Sequence, residues 1–373
     1  MNILVIGNGF DLAHHLPTQY SNFLDFVKAF KNSDDSDYSK FITGIKDNNE
    51  VLYNEIRQLI ENNVLLDYFL SIYEDRCKKG KRGWIDFESE ISFLVQKLDE
   101  AKQDIEKKYL TSGNAEKLDK VVESRLKPII SEEAVKDPNV IVGEHLYTPR
   151  FFDNKANQVL EALNRLTHLL EIYLHYFIEE MDCKYRLSDL EGLGIDRVLS
   201  FNYTDTYKRY YDPDGKARYC FIHGKVKESN TETCNLVLGI DEYLPPERRD
   251  SDNQFVWFKK FYQRIYKETG SEYLDWINVF EEFNERHKKA PPTHTDIYIY
   301  GHSLDVTDKD VLSRLILMKN TTTHIFYHNR VAMAKQISNL VKVIGEDNLI
   351  RMTSGKDRTI TFIQSKPAEE EKE

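Results

Sequence analysis

The chain has 373 residues, a hydrophobic content of 40% and a formal net charge of −11 at pH 7. This length accommodates two domains or one elaborated α/β domain with a large core, and the negative charge argues against a protein that binds nucleic acid through a general basic surface. The four cysteines are far apart and form no C-x-x-C pair, so no zinc ribbon or other metal site is predicted and reduced thiols are expected.

The first residues of the chain predict a buried strand that runs into a glycine turn. Residues 3–6 are apolar, and Gly7, Asn8 and Gly9 follow them. Glycine lets the backbone approach a ligand, and the start of the next helix offers unpaired N–H groups to an anion. The segment therefore predicts a nucleotide-binding α/β core. A strand-to-helix turn that holds no ligand is the alternative that stays open.

This turn differs from the dinucleotide fingerprint G-x-G-x-x-G. Leu12 stands where the third glycine would be. Asp25 has roughly the offset of a ribose-binding acid, but its surroundings are typical of a helix rather than a strand end. An ordinary dehydrogenase is therefore disfavoured.

Targeting and membrane segments are not visible in the sequence. The first apolar run is too short for a secretory signal. No segment approaches the roughly 18 apolar residues of a membrane span. A cytoplasmic protein without a membrane partner is expected.

A long region after the first strand is typical of helices. Apolar residues recur at steps of three and four in three segments, 51–73, 84–98 and 151–181. His168 and His175 in the third segment are interpreted as packing or surface histidines. The polar stretch 102–149 is expected to hold a mobile loop. The aromatic-rich segment 254–289 predicts a second, half-buried helical excursion with a basic face.

The remaining strands are predicted late in the chain. Each is a short β-branched or aromatic run bounded by turn residues: 197–201, 219–222, 235–238, 296–300, 323–327 and, at a sheet edge, 359–363. The pattern predicts an α/β fold, with a Rossmann-like, mostly parallel sheet and a large helical insertion after the first βα unit. Residues 1–30 and 190–365 form the predicted core, 31–189 the insertion, and 366–373 a disordered charged tail.

Polar residues follow three of the predicted strands. Asn202 and Asp205 come after the first of these, His223 after the second, and Ser303 and Asp305 after the third. Because the carboxyl ends of parallel strands share one edge of the sheet, these side chains are expected to lie around one crevice. Taken singly, each also fits a turn, a helix cap or a structural role.

The order of these motifs resembles two known groups of proteins. The order of the glycine turn, N-Y-x-D, I-H-G and a late G-x-S-x-x-x-x-D resembles the sirtuin-like superfamily. More narrowly, the chain resembles AbiH-type abortive phage infection proteins in three stretches: G-N-G-F-D-L-A-H-H-L-P-T at 7–18, W-I-D-F-E at 84–88 and S-F-N-Y-T-D at 200–205.

The resemblance implies a sirtuin-like fold and a site for NAD. The implied catalytic residues are Asn202, Asp205 and His223. Asn202 would hydrogen-bond a ribose hydroxyl or the attacking water, Asp205 would orient the ribose, and His223 would act as general base. The residues implied to bind the nucleotide are Gly7, Asn8, Gly9, Phe10, Asp11, Pro17, Gly301, His302, Ser303 and Asp305.

The chain departs from sirtuin deacylases at two points. It lacks their four-cysteine zinc module, and its turn reads G-N-G-F-D rather than G-A-G-x-S. A defence effector that cleaves NAD at the nicotinamide–ribose bond therefore fits better than a deacylase. Two alternatives stay open, a sensor that binds a nucleotide or phage component without chemistry, and a nuclease with magnesium on Asp11, Asp205 and Asp305.

The expected partner is a small nucleotide, whereas nucleic acid is not expected. A phage-derived trigger and a homo-oligomer both remain open. So does the role of Trp84, Asp86 and Glu88, which are placed at a helix start, where carboxylates favour the helix dipole.

Overall fold

The computed structural model describes residues 1–32, 38–80, 85–130, 146–249, 251–287, 292–356 and 358–370, with the side chain of residue 128 left out. Four parts of the sequence predictions lie outside these ranges: Trp84, residues 131–145 of the expected mobile loop, the end of the 254–289 excursion and the last three residues of the tail.

The strands, in chain order, are β1 (Asn2–Ile6), β2 (Tyr185–Arg186), β3 (Arg197–Ser200), β4 (Arg218–Phe221), β5 (Thr295–Tyr300), β6 (Thr321–Tyr327), β7 (Ile360–Gln364) and β8 (Glu369–Glu370).

The α-helices are α1 (Asn8–Ala13), α2 (Tyr20–Asn32), α3 (Ser39–Asn48), α4 (Glu50–Ile60), α5 (Val64–Lys78), α6 (Phe87–Ser112), α7 (Lys120–Ile130), α8 (Pro149–Tyr173), α9 (Thr206–Tyr211), α10 (Pro246–Arg249), α11 (Lys260–Tyr266), α12 (Glu272–Arg286), α13 (Lys309–Ile316), α14 (Arg330–Ile344) and α15 (Glu346–Thr353). Short 3₁₀ segments occupy Ser188–Leu190, Val256–Phe258 and Val306–Asp308, and a π-helical turn occupies Leu174–Ile178.

The central sheet has the strand order β4-β3-β1-β5-β6-β7, and all of these pairings are parallel. Leu4 of β1 is in register with Val198 of β3 on one side and Tyr298 of β5 on the other. The order of the strands therefore reverses at β1, which makes the carboxyl end of β1 the topological switch point of the sheet. The predicted α/β class and mostly parallel sheet are confirmed.

Strand β1 is apolar throughout because both of its faces are covered. Successive side chains point to opposite faces. Ile3 and Val5 belong to one buried core cluster, and Leu4 and Ile6 belong to another. This two-sided burial is the reason why the N-terminal run does not alternate with polar residues.

The chain divides into two compact units. One comprises Met1–Thr18, Leu174–Glu228 and Arg264–Glu373 and contains the sheet. The other comprises Gln19–Tyr173 and Ser229–Gln263 and is mainly helical.

These limits differ from the predicted boundaries at residues 19–30, 174–189 and 229–263. Helix α2 belongs to the helical unit, because its buried aromatic rings pack there, Phe23 against Phe87 and Phe26 against Tyr38. The later segment belongs to it as well, through ion pairs such as that of Arg248 with Asp99.

The predicted helical segment 51–73 consists of two helices, α4 and α5, separated at Asn63, whose side chain accepts a hydrogen bond from Leu66 N. A strand prediction, in contrast, is wrong. The segment 235–238 is not a strand. Its apolar side chains are buried, but the amide of Leu238 donates to the Gln263 side chain instead of a strand.

Within the polar region from residue 102, the described residues include the end of α6, which continues to Ser112, and α7. The charged tail is not wholly disordered, because β8 pairs with β2 in an antiparallel ladder. The predicted edge strand is confirmed as β7. None of the helices in the described ranges is both long and apolar enough to cross a membrane.

Candidate functional site

The glycine turn after β1 packs directly on the loop after β5. Gly7 N donates to Tyr300 O at 3.2 Å, Gly9 N donates to Gly301 O at 2.9 Å, and Phe10 N donates to Gly7 O at 2.8 Å. These three amides are satisfied by protein carbonyls. Because these N–H groups are already bonded, the turn has fewer amides free to bind a phosphate than the sequence predicts. Two of the three bonds join the turn to the end of β5 and the loop after it.

The close approach explains the three glycines at this junction. A Cβ on Gly7 would lie 2.8 Å from His302 Cα, and one on Gly9 would lie 2.8 Å from Gly301 Cα. Gly301 has φ +68°, and a Cβ there would lie 2.1 Å from Phe10 N. A side chain at any of these positions would separate the two strand ends.

Two histidines share one carboxylate at the same edge of the sheet. His223 Nε2 lies 3.2 Å from Asp308 Oδ1, and His302 Nε2 lies 3.5 Å from Asp308 Oδ2. Leu304 N donates to His302 Nδ1 at 2.9 Å, which places the proton of a neutral His302 on Nε2, toward the carboxylate. The ring of Phe201 packs against both imidazoles, and all three polar side chains are buried.

Asn202 and Asp11 connect the end of β3 to the glycine turn. Asn202 Nδ2 donates to Gly7 O at 3.1 Å, and Thr204 Oγ1 donates to Asp11 Oδ2 at 2.6 Å. Asp11 is 1% exposed, and its Oδ1 has no hydrogen-bond partner among the described residues. Burial raises the pKa of Asp11 to about 6, and hydrogen bonding from Thr204 opposes this rise only in part.

The raised pKa of Asp11 predicts a pH-dependent contribution to stability. Since the folded-state pKa exceeds the ordinary value of 3.8, the folded protein binds the proton more tightly than the unfolded chain, and stability is lost as pH rises from about 4 through about 6. The shift corresponds to about 3 kcal/mol. Urea unfolding measures the free energy of unfolding of Asp11→Asn and of wild type. The value for the variant minus the value for wild type should rise by about that amount between pH 4 and pH 7.5. A difference that does not vary with pH would contradict the prediction.

Asp205 does not join the histidine network. Its carboxylate lies 2.7 Å from Lys225 Nζ, and it makes no side-chain cap on α9. Glu179, which lies 3.0 Å from His175 Nδ1, is part of the same surroundings. Burial is the largest cause of a raised pKa at Glu179, and the charge of Asp205 adds to it. The sequence did not predict that Lys225 pairs with Asp205.

The other predicted binding residues have varied surroundings. Phe10 is fully buried and packs against the rings of His14 and Tyr300, so it is a core residue here. The exposed Asn8 exchanges hydrogen bonds with Thr18. Three predicted positions remain: Pro17, Ser303 and Asp305.

Asp305 caps the 3₁₀ turn by accepting from Thr307 N at 3.2 Å, as the cap interpretation of the sequence allows. Ser303 is exposed, and its carbonyl accepts from Asn339. Pro17 is half-buried and follows α1 in the sequence. Asp305 is therefore not one of the groups that meet His223.

The acidic residues at the start of α6 belong to the helical unit, whereas the histidine network belongs to the sheet unit. Asp86 caps the helix by accepting from Ser89 N at 3.2 Å. Glu88 lies 2.8 Å from Lys260 Nζ, within the helical unit. These contacts fit a helix-start role for both carboxylates.

Sequence reasoning missed the residue that joins the two histidines. Asp308 is not among the predicted site residues, although it is the last residue of the motif G-x-S-x-x-x-x-D, and it is 85 residues from His223. The available signal was the second acid in H-S-L-D-V-T-D, which follows a strand end as the predicted site residues do. The structure thus brings together His223, His302, Asn202 and the three glycines, and adds Asp308.

A family model described as "Bacteriophage abortive infection AbiH" matches residues 3–328. The chain belongs to the AbiH family. The match includes β1 from Ile3 onward, all of β3, β4, β5 and β6, and every residue of the histidine network. The predicted resemblance to AbiH proteins is thereby confirmed, and a role in abortive phage infection is the function that the family suggests. Comparison with curated proteins and with solved structures gave no match.

Proposed function

We propose that this AbiH protein is a cytoplasmic abortive-infection effector that cleaves NAD at the nicotinamide–ribose bond. The observation that carries the proposal is the buried His223–Asp308–His302 network at the carboxyl edge of the sheet. Asn202 and the glycine junction lie at the same edge. Buried titratable groups at such an edge are typical of an active site.

The strand order supports a nucleotide as the substrate. When its strands are counted by their order in the chain, the sheet reads 3-2-1-4-5-6, which is the order of dinucleotide-binding sheets. The ligand position in such sheets is the switch point, here the carboxyl end of β1. A sirtuin-like relationship, which the motif order suggests, is part of the proposal.

Cleavage of NAD requires a general base and polar groups held in place near the ribose. Cleavage of the nicotinamide–ribose bond develops positive charge on the ring, as in glycoside hydrolysis. His223 takes a proton from water or from a ribose hydroxyl, and Asp308 holds its imidazole in position. Asn202 and the unsatisfied Oδ1 of Asp11 would orient ribose hydroxyls. Asp205 lies farther out with Lys225.

The magnesium nuclease that the sequence left open has less support. Asp11, Asp205 and Asp305 make separate contacts, with Thr204, Lys225 and Thr307 respectively. Within the described ranges they do not form a cluster of ligand atoms.

The first test follows free nicotinamide released from NAD by the purified protein. It is paired with metabolite profiling of cells that express wild type or His223→Ala, with and without phage challenge. Phage-induced loss of NAD in wild-type cells alone supports the proposal. NAD pools that stay equal in the two strains during an otherwise effective defence would overturn it.

Asp308→Asn should slow nicotinamide release. The Asp308 carboxylate lies 3.2 Å from His223 Nε2, and a hydrogen bond to a charged group contributes about 1.5–3 kcal/mol, so kcat/KM should fall about tenfold to a hundredfold. Asp305→Asn, three positions away, is the control, because Asp305 only caps the 3₁₀ turn. Equal kcat/KM in wild type and Asp308→Asn would show that the carboxylate does not act on the catalytic base.

A further inference from the structure

A second polar cluster lies within the helical unit. It comprises His168 and Glu171 of α8 and Cys234 of the segment that precedes α10. One ligand atom from each residue lies within 4.8 Å of the others, and all three residues are buried. His168 was interpreted from the sequence as a packing or surface histidine, but it is 1% exposed and polar groups contact both of its ring nitrogens.

We propose that His168, Glu171 and Cys234 bind a zinc ion. Imidazole, carboxylate and thiolate are the three ligand types that zinc takes in proteins. Magnesium and calcium are excluded because they require oxygen ligands. Ligands of a tetrahedral zinc ion lie roughly 3.3–3.8 Å apart, given bond lengths of about 2.0–2.3 Å. The distance of 3.2 Å between His168 Nδ1 and Glu171 Oε2 is close to this range.

The local structure presents the ligands to one point. His168 and Glu171 are three residues apart on a helix and so share a face. Cys234 is fixed by a turn in which its amide donates to Asn230 O at 2.8 Å. The ion would therefore join α8 to the segment 229–263, which is distant in sequence but part of the same unit.

The surroundings of the ligands match those of a metal site. Glu55 Oε1 lies 2.9 Å from His168 Nε2, and a metal-bound histidine typically donates its second N–H to a carboxylate. Ser229 Oγ donates to Glu171 Oε2, which orients that carboxylate.

The environment of Glu171 Oε1 independently supports a bound ion. This oxygen is buried and has no hydrogen-bond partner among the described residues, and an unsatisfied buried carboxylate oxygen is costly. The cluster supplies three ligand atoms, so the ion would complete its coordination with this oxygen or with water. The ligands come from a helix and a turn, which explains why cysteine spacing predicted no metal site.

The test uses the purified full-length protein and Zn²⁺, and its readout is independent of NAD. After removal of metal with a chelator, wild type should take up about one Zn²⁺ per chain. With Co²⁺ as the probe, it should show a thiolate-to-cobalt charge-transfer band. Cys234→Ser should lose the band and lower Zn²⁺ affinity at least tenfold. The matched control is Cys220→Ser, a buried free cysteine outside the cluster, which should bind like wild type.

Thermal unfolding separates loss of metal from loss of fold. In chelator, wild type and Cys234→Ser should unfold at similar temperatures, and added Zn²⁺ should stabilise wild type alone. Glu55→Gln keeps all three ligands and should weaken Zn²⁺ binding about tenfold to a hundredfold, which tests the site even if Cys234→Ser does not fold. The proposal is overturned if wild type takes up no Zn²⁺ saturably, or if Cys234→Ser folds and binds it as wild type does.

Discussion

Nicotinamide release from NAD by the His223→Ala protein is expected to be slower than release by wild type by a factor on the order of one hundred to ten thousand. This is the usual loss when a general base is removed. The physical reason is that His223 is buried beside Asp308 and is placed at the sheet edge where the substrate is proposed to bind. The measurement is kcat/KM for nicotinamide release at neutral pH, under conditions in which wild type is active.

His324→Ala is the matched control for this experiment. His324 Nε2 also lies 3.2 Å from an aspartate, Asp296, but it belongs to β6 and lies away from the glycine junction. Its replacement removes a comparable contact and should leave the rate within about twofold of wild type. Thermal unfolding of both variants shows whether either has lost its fold. If folded His223→Ala releases nicotinamide as fast as His324→Ala, the assignment of the base is wrong.

Gly301→Ala is expected to destabilise the sheet unit by about 3–5 kcal/mol or to prevent folding. Two costs add at this position. A non-glycine residue at φ +68° costs about 1–2 kcal/mol. The new Cβ would lie 2.1 Å from Phe10 N and 2.4 Å from Gly9 C, and backbone atoms cannot move away as a flexible side chain can. The ends of β1 and β5 would have to separate. Urea unfolding of the purified protein measures the loss.

Gly215→Ala isolates the cost of the backbone conformation. Gly215 has φ +65°, close to that of Gly301, it lies in the same unit, and a Cβ there would meet nothing within 4 Å. This variant should lose only about 1–2 kcal/mol. Equal losses in the two variants would mean that the junction between the glycine turn and the β5 loop does not depend on close approach.

Local sequence patterns were sufficient for most strands. The apolar run of β1 and the β-branched runs of β5 and β6 each indicate a buried strand. This signal is local, because it depends only on residues that are neighbours in the chain. They were not sufficient for 235–238, where a similar apolar run is buried in the helical unit but does not form a strand. An apolar run indicates that a segment is buried. Whether its backbone pairs in a sheet depends on whether another strand lies next to it.

The candidate site was predicted only in part for the same reason. His223, Asn202 and the glycines were found because each follows a strand, and parallel strands end at one edge. The contact of Asp308 with His223 could not be predicted, because a contact over 85 residues leaves no periodic signal, although Asp308 itself follows a strand end. Phe10 was predicted to bind the nucleotide because it belongs to the G-N-G-F-D motif, but its ring is buried against other aromatic rings.

The sequence by itself determined the α/β class, the strand that opens the sheet, the family of the chain and the edge at which polar residues gather. These follow from local periodicity, burial and motif order. Only the tertiary structure decided that the glycine amides bond to protein carbonyls, that Asp205 pairs with Lys225, and that His168 meets Cys234. Those contacts depend on which distant segments approach within hydrogen-bonding distance, and that is fixed by packing of the whole unit rather than by any stretch of the chain.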